Sequence, residues 1–107
     1  EYIEAPEIAI NSVQYNGTPY LCEIVQFNKL LIDKGKKIYD YATLIPFEKC
    51  EPELINYSFK VAAALGIKYG PMHAEVFSIS KNPILIEAAA RIMGANTPIG
   101  LMKECLT

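Results

Sequence analysis

The chain has 107 residues, 51% of them hydrophobic, the size of one compact domain or of a piece of a larger one. Ten basic against twelve acidic residues leave a net charge of −2, which provides no electrostatic footprint for nucleic acid or an anionic membrane surface. The longest apolar runs fall far short of the roughly 18 residues that a membrane-crossing helix needs.

In chain order, Glu7 to Tyr15 predicts a strand, Asn16-Gly17 a hairpin turn, and Tyr20 to Leu30 the returning strand. Asp33-Lys34-Gly35-Lys36 is a charged loop, and Ile38 to Ile45 predicts a third strand. Helix signals begin after Cys50, with Pro52 suited to the first turn. Leu54, Ile55, Ser58, Phe59, Ala62 and Leu65 make one apolar stripe, and Gly66 ends the helix. Met72–Ile79 and Ile84–Ala90 predict two more strands, followed by a Gly94-Ala95-Asn96 loop. A short last helix is expected near Thr97, an N-cap with Pro98 at the first helical position. This order predicts an α+β fold, an antiparallel β-sheet packed on helices. Cys22, Cys50 and Cys105 are odd in number and lack CxxC spacing. They read as small buried apolar residues in a reducing cytosol, so a cytoplasmic location is expected. No signal peptide is visible, and the start at Glu1 without a methionine is compatible with an absent N-terminal segment.

The stretch HAEVFSISKNPILIEAAAR, His73 to Arg91, carries the chemistry. A Ser80–Asn82 loop sets Ile79 opposite Pro83 and Glu75 opposite Glu87. Opposed side chains in an antiparallel pair have Cβ atoms roughly 4.5–5.5 Å apart, and like charges there are destabilising. Something positive is therefore expected between the two carboxylates. Strand alternation puts Ala74, Val76 and Ser78 on one face with Ile86, Ala88 and Ala90, an apolar surface for the Leu54–Leu65 helix. The other face holds His73, Glu75 and Phe77 beside Leu85, Glu87, Ala89 and Arg91. Two acids in register suit a hard divalent cation, which takes oxygen ligands and bridges phosphate oxygens. The same residues also make a solvated face with an ion pair from Arg91 to Glu87 or Glu75. Spacing alone does not choose between these readings.

The segment LGIKYGPMHAEVFSISKNPILIEAAARIMGANTP resembles the C-terminal metal-binding half of ATP-grasp enzymes. The pattern there is a glycine, an acid on one strand, a turn, then Glu-x-Asn-x-Arg on the next. Within that superfamily the segment is most similar to carboxylate–amine ligases of the L-amino-acid (dipeptide) ligase type. EYIEAPEIAINSVQYNG resembles the segment just after the adenine-contacting linker. The resemblance covers essentially the whole chain. It implies that residues 1–107 are a partial ATP-grasp domain, the C-terminal, Mg–ATP-binding half. The phosphate-grasping lysines and glycine-rich loop are then expected upstream of Glu1.

Carried over position by position, Glu75 and Glu87 match the acids that hold Mg2+, with Mn2+ as an alternative, on the ATP phosphates. Arg91 matches the arginine that faces the transferred phosphate or the substrate carboxylate. His73 matches a histidine of the dipeptide-ligase branch and reads as a substrate contact or as a structural residue. Tyr2 and Ile3 match the end of the linker that lines the adenine site, and Glu7 matches the acid of a Gly-x-Glu turn at the nucleotide pocket. Two departures stand out. Ala89 occupies the place where many members have a third metal ligand, Asn, although the dipeptide-ligase branch also has small residues there. The turn glycine is Ala5, followed by Pro6.

The resemblance implies ATP- and Mg-dependent amide formation, through an acylphosphate, from a small-molecule carboxylate and an amine. Neither nucleic acid nor membrane is implied as a partner, and a homo-oligomer is left open. The alternatives are a nucleotide-binding or interaction module without catalysis, which Ala89 favours, and a biotin-carboxylase-type member. The 107 residues alone are expected not to turn over.

Overall fold

The computed structural model describes residues 3–32, 36–79 and 82–94. Strands β1 (Glu7–Tyr15), β2 (Thr18–Ile32) and β3 (Lys36–Leu44) come first. A one-turn 3-10 helix (Phe47–Lys49), helix α1 (Pro52–Ala64), β4 (Gly70–Phe77) and β5 (Ile84–Ala89) follow. The five strands form a single sheet in the order β3-β2-β1-β4-β5, antiparallel at every step. The expected α+β architecture is thus present, with one α-helix among the described residues. Cys105 and the helix expected near Thr97 lie outside them, as do Ser80 and Lys81 of the loop between β4 and β5.

Local chemistry explains the corners. Asn16 and Gly17 both take positive φ, 49° and 78°, as a tight hairpin turn matched to strand twist requires. The Gly17 N–H also donates to the Lys68 carbonyl at 2.9 Å, tying the hairpin tip to the segment that leaves α1. At the start of α1, Pro52 stands where its missing N–H would have no helical partner anyway. At the end, Gly66 turns left-handed (φ 71°). Its N–H donates to the Ala63 carbonyl, and that of Ile67 to the Ala62 carbonyl. Both bonds satisfy carbonyls that the helix end would otherwise orphan.

One face of the sheet carries the core. Leu54 of α1 packs with Ile8, Ile10, Ile24, Cys50 and Val76, while Ala62 packs with Met72 and Ala74. Leu54, Ser58 and Ala62, at helical spacing, are the buried line of α1. Leu65 was expected in that stripe but is exposed, because it caps the helix beyond its last turn. The Ser58 hydroxyl is fully buried, and its oxygen has no hydrogen-bond partner. Ser58→Ala removes that orphan and gains helix propensity, so it is expected to raise stability by about 1 kcal/mol in urea unfolding.

Three expectations are corrected. The helix does not cover Ile86, which is 38% exposed together with Ile84 and Leu85, because β5 is the edge strand and the core stops at β4. A bulge shifts the β4–β5 ladder beyond Glu75–Glu87, so Leu85 rather than Ile86 lies across from Val76. The ladder closes at Phe77–Ile84, and Ile79 is instead joined to Asn82, whose N–H donates to its carbonyl. Cys22 is exposed rather than buried, since it is the extra residue of a second bulge, between the Asn11–Glu23 and Ser12–Leu21 pairs. Among the described residues no helix is long and apolar enough to cross a membrane.

Candidate functional site

The face of the sheet opposite α1 carries two polar rows. One runs Glu23–Asn11–His73–Ala89 across β2, β1, β4 and β5; the next runs Val25–Ala9–Glu75–Glu87. Glu75 and Glu87 stand directly opposite each other, as the hairpin pattern predicts. One ligand atom from each of His73, Glu75 and Glu87 lies within 4.8 Å of the others. The three side chains step outward from the interior. His73 is 3% exposed, Glu75 15% and Glu87 53%, so the cluster opens to solvent at Glu87.

A hydrogen-bonded chain fixes its buried end. Asn11 Nδ2 donates to Glu23 Oε1 at 2.8 Å, so the amide oxygen turns the other way, to His73 Nδ1 at 2.6 Å. His73 Nε2 lies 3.0 Å from Glu75 Oε1. Asn11 Nδ2 also contacts the Met93 sulfur at 3.6 Å, so the chain after β5 returns over this face. Glu23 Oε2 is buried without a hydrogen-bond partner.

The positive charge expected between the carboxylates is met on one side only, by Arg91. His73 meets Glu75 from inside the sheet, and Arg91 approaches Glu87 from outside. Arg91 lies beyond the end of β5 and is half exposed; its Nη1 donates to the Ile92 carbonyl, and its Nη2 is 3.9 Å from Glu87 Oε1. Glu7 shares the polar face and forms an ion pair with Lys29 at 2.6 Å. Ile3 is half-buried just ahead of β1, and Tyr2 lies outside the described residues.

The sequence patterns do not single out Asn11 and Glu23. Their signal is a polar residue at mid-strand in EIAINSVQY and in LCEIV: where such a position is buried, it must find a polar partner. Cys22, beside Glu23, is a weaker acid than an ordinary thiol. Partial burial pushes its thiol up, and the Glu23 carboxylate adds to the effect.

Known proteins are similar to this chain. Dapdiamide A synthase of Enterobacter agglomerans is 30% identical over 107 residues, which is 99% of this chain and 25% of that protein. The crystal structure of an L-amino acid ligase from Bacillus licheniformis has a TM-score of 0.68 at 26% identity, over 87% of this chain and 24% of that one. Phosphoribosylglycinamide synthetase from Anaerococcus prevotii shares the fold alone, with a TM-score of 0.64 at 14% identity over 85% and 23% of the two chains. The chain thus spans about a quarter of the length of these relatives. The family model for the ATP-grasp domain matches residues 1–99, nearly the whole chain with both polar rows, and the chain belongs to the ATP-grasp domain family.

Proposed function

We propose that these residues are the C-terminal, Mg–ATP-binding part of a carboxylate–amine ligase that forms an amide through an acylphosphate. The observation that carries this reading is the opposed Glu75–Glu87 pair. Two like charges facing each other on a sheet destabilise it, and a divalent cation removes that penalty. The donor set fits such an ion: two carboxylates from neighbouring strands, open to solvent on one side. When bound there, Mg2+ supplies charge neutralisation for phosphate oxygens during phosphoryl transfer.

The protein's own groups supply the remaining parts. Arg91 touches Glu87 only loosely and keeps a solvent-facing guanidinium for a transferred phosphate or a substrate carboxylate. His73 is held rigidly and presents its Nε2 edge to the carboxylates. Glu7, on the same face, is assigned to the nucleotide side, and so, from the resemblance alone, are Tyr2 and Ile3. The substrate carboxylate takes the γ-phosphoryl group, ADP leaves, and an amine then displaces phosphate to give the amide. An L-amino acid ligase among the relatives favours amino acids as both substrates.

The test is phosphate release by the whole protein with ATP, Mg2+ and mixed L-amino acids, with mass spectrometry of the products. Release that requires amino acids and yields a new amide is expected; ATP turnover indifferent to them sinks the proposal. A second reading, a nucleotide-binding module without catalysis, draws on Ala89, which faces His73 and offers no ligand. It requires ADP–Mg2+ binding without any phosphate release. The 107 residues alone are expected to bind ATP–Mg2+ no tighter than roughly millimolar, because much of the ligand surface would lack partners. Micromolar affinity in calorimetry would place the whole nucleotide site within them.

A further inference from the structure

We infer that His73 is itself a ligand of the cation, with Nε2 as a nitrogen donor beside the carboxylates of Glu75 and Glu87, and that Asn11 and Glu23 are the residues that position it. This rests on the proposed function only in taking Glu75 and Glu87 as a cation pair.

Glu23 is 7% exposed, and as a carboxylate it only accepts hydrogen bonds. The group that meets it must be the amide nitrogen of Asn11, at 2.8 Å. That choice leaves the Asn11 oxygen, an acceptor, 2.6 Å from His73 Nδ1, so the ring hydrogen sits on Nδ1. An imidazole with its hydrogen on Nδ1 has a lone pair on Nε2. Here the lone pair points at Glu75 Oε1, 3.0 Å away, with a Glu87 oxygen inside the same 4.8 Å cluster. Three acceptors therefore converge. Arg91 reaches only Glu87, at 3.9 Å, and Ala89 across from His73 brings no polar side chain.

A metal ion satisfies all three at once. A histidine whose other nitrogen is held by a polar partner, itself anchored by a carboxylate, is the usual support of a metal-bound imidazole. One nitrogen with two oxygens also sets the ion preference. Imidazole strengthens binding of first-row transition ions more than of Mg2+, so Mn2+ and Co2+ should compete well here.

The experiment is pulsed electron paramagnetic resonance on the whole protein loaded with Mn2+, first alone and then with ADP. Expected is modulation from a directly bound imidazole nitrogen, which changes pattern when the protein is grown with 15N-histidine. The isotope swap needs no mutation, so a misfolded variant cannot obscure the result. Glu87→Gln should weaken the Mn2+ signal, and His73→Gln should abolish its nitrogen modulation. Asn11→Ala should weaken Mn2+ binding by about 10–100-fold. The charge-swapped pair Asn11→Asp with Glu23→Gln, which still offers an acceptor to Nδ1, should restore it. Bound Mn2+ without nitrogen modulation, as when a proton bridges His73 and Glu75, overturns the inference, as does no bound Mn2+ at millimolar concentration. Modulation that persists in His73→Gln overturns it too, and a loss in Asn11→Ala that the swap does not restore overturns the positioning role. Nitrogen coupling in a protein that forms no amide leaves the ligand set standing and removes the ligase reading. Amide formation with nitrogen-free Mn2+ does the reverse.

Discussion

Glu87→Gln in the whole protein is expected to cut ATP-dependent phosphate release by about a hundredfold or more, the usual scale for losing one preorganised electrostatic contact to a transition state. The substitution preserves shape and removes one charge. Glu87 is 53% exposed on an edge strand and contributes nothing to the core, so the fold should not suffer. Relief of repulsion with Glu75 should even leave the variant as stable as the parent, or slightly more so. Lower turnover without lower stability is the pattern expected of a binding charge rather than a structural one. Phosphate release with mixed amino acids, read beside a melting curve, checks both halves. A wild-type rate would reduce this face to a solvated ion pair between Glu87 and Arg91.

Asn11→Leu should destabilise the fold by about 3 kcal/mol or more. It strips two buried groups of their partners at once: the Glu23 carboxylate and His73 Nδ1. Each orphaned buried polar group costs about 1–3 kcal/mol, and a charged one more. Leucine has the same branched outline and is the bulkier side chain, so none of the loss would come from a cavity. Against the roughly 5–15 kcal/mol that holds an ordinary domain together, the loss is large. Asn56→Ala, on the exposed side of α1, is the control and should stay within about 0.5 kcal/mol. Urea unfolding of the two variants makes the comparison. A loss below about 1 kcal/mol for Asn11→Leu would mean that water replaces the amide and that the row is not sealed.

The features that could be read from the sequence are those set within a few residues. Asn16-Gly17 names its own turn, Pro52 and Gly66 mark the two ends of one helix, and alternation puts Glu75 opposite Glu87. Features that depend on distant pairing could not be read in this way. Asn11 and His73 are 62 positions apart, and nothing in either strand says that β1 will lie between β2 and β4. The limit of helix cover is equally silent, because Ile84, Leu85 and Ile86 look as apolar as Ile8 and Ile10 although they lie at the edge. Arg91 does lie beside Glu87, but the strand period is not what puts it there. Alternation placed it on the face of Glu87, but β5 stops at Ala89, and beyond a strand the period no longer governs direction.

Two of the three bulges in this sheet, those of the β1–β2 and β4–β5 pairs, have a consequence for how it tolerates change in length. Each surplus residue sits immediately before a carboxylate: Cys22 before Glu23, and Ile86 before Glu87. Removing either would join two rungs that already pair in register, Leu21 with Glu23 or Leu85 with Glu87, and the carboxylates would keep their partners. Both strands therefore contain a slip joint next to an acid. A hairpin that gains or loses one residue can take up the difference there, so a one-position gap at residue 22 or 86 in a relative is compatible with the same polar rows.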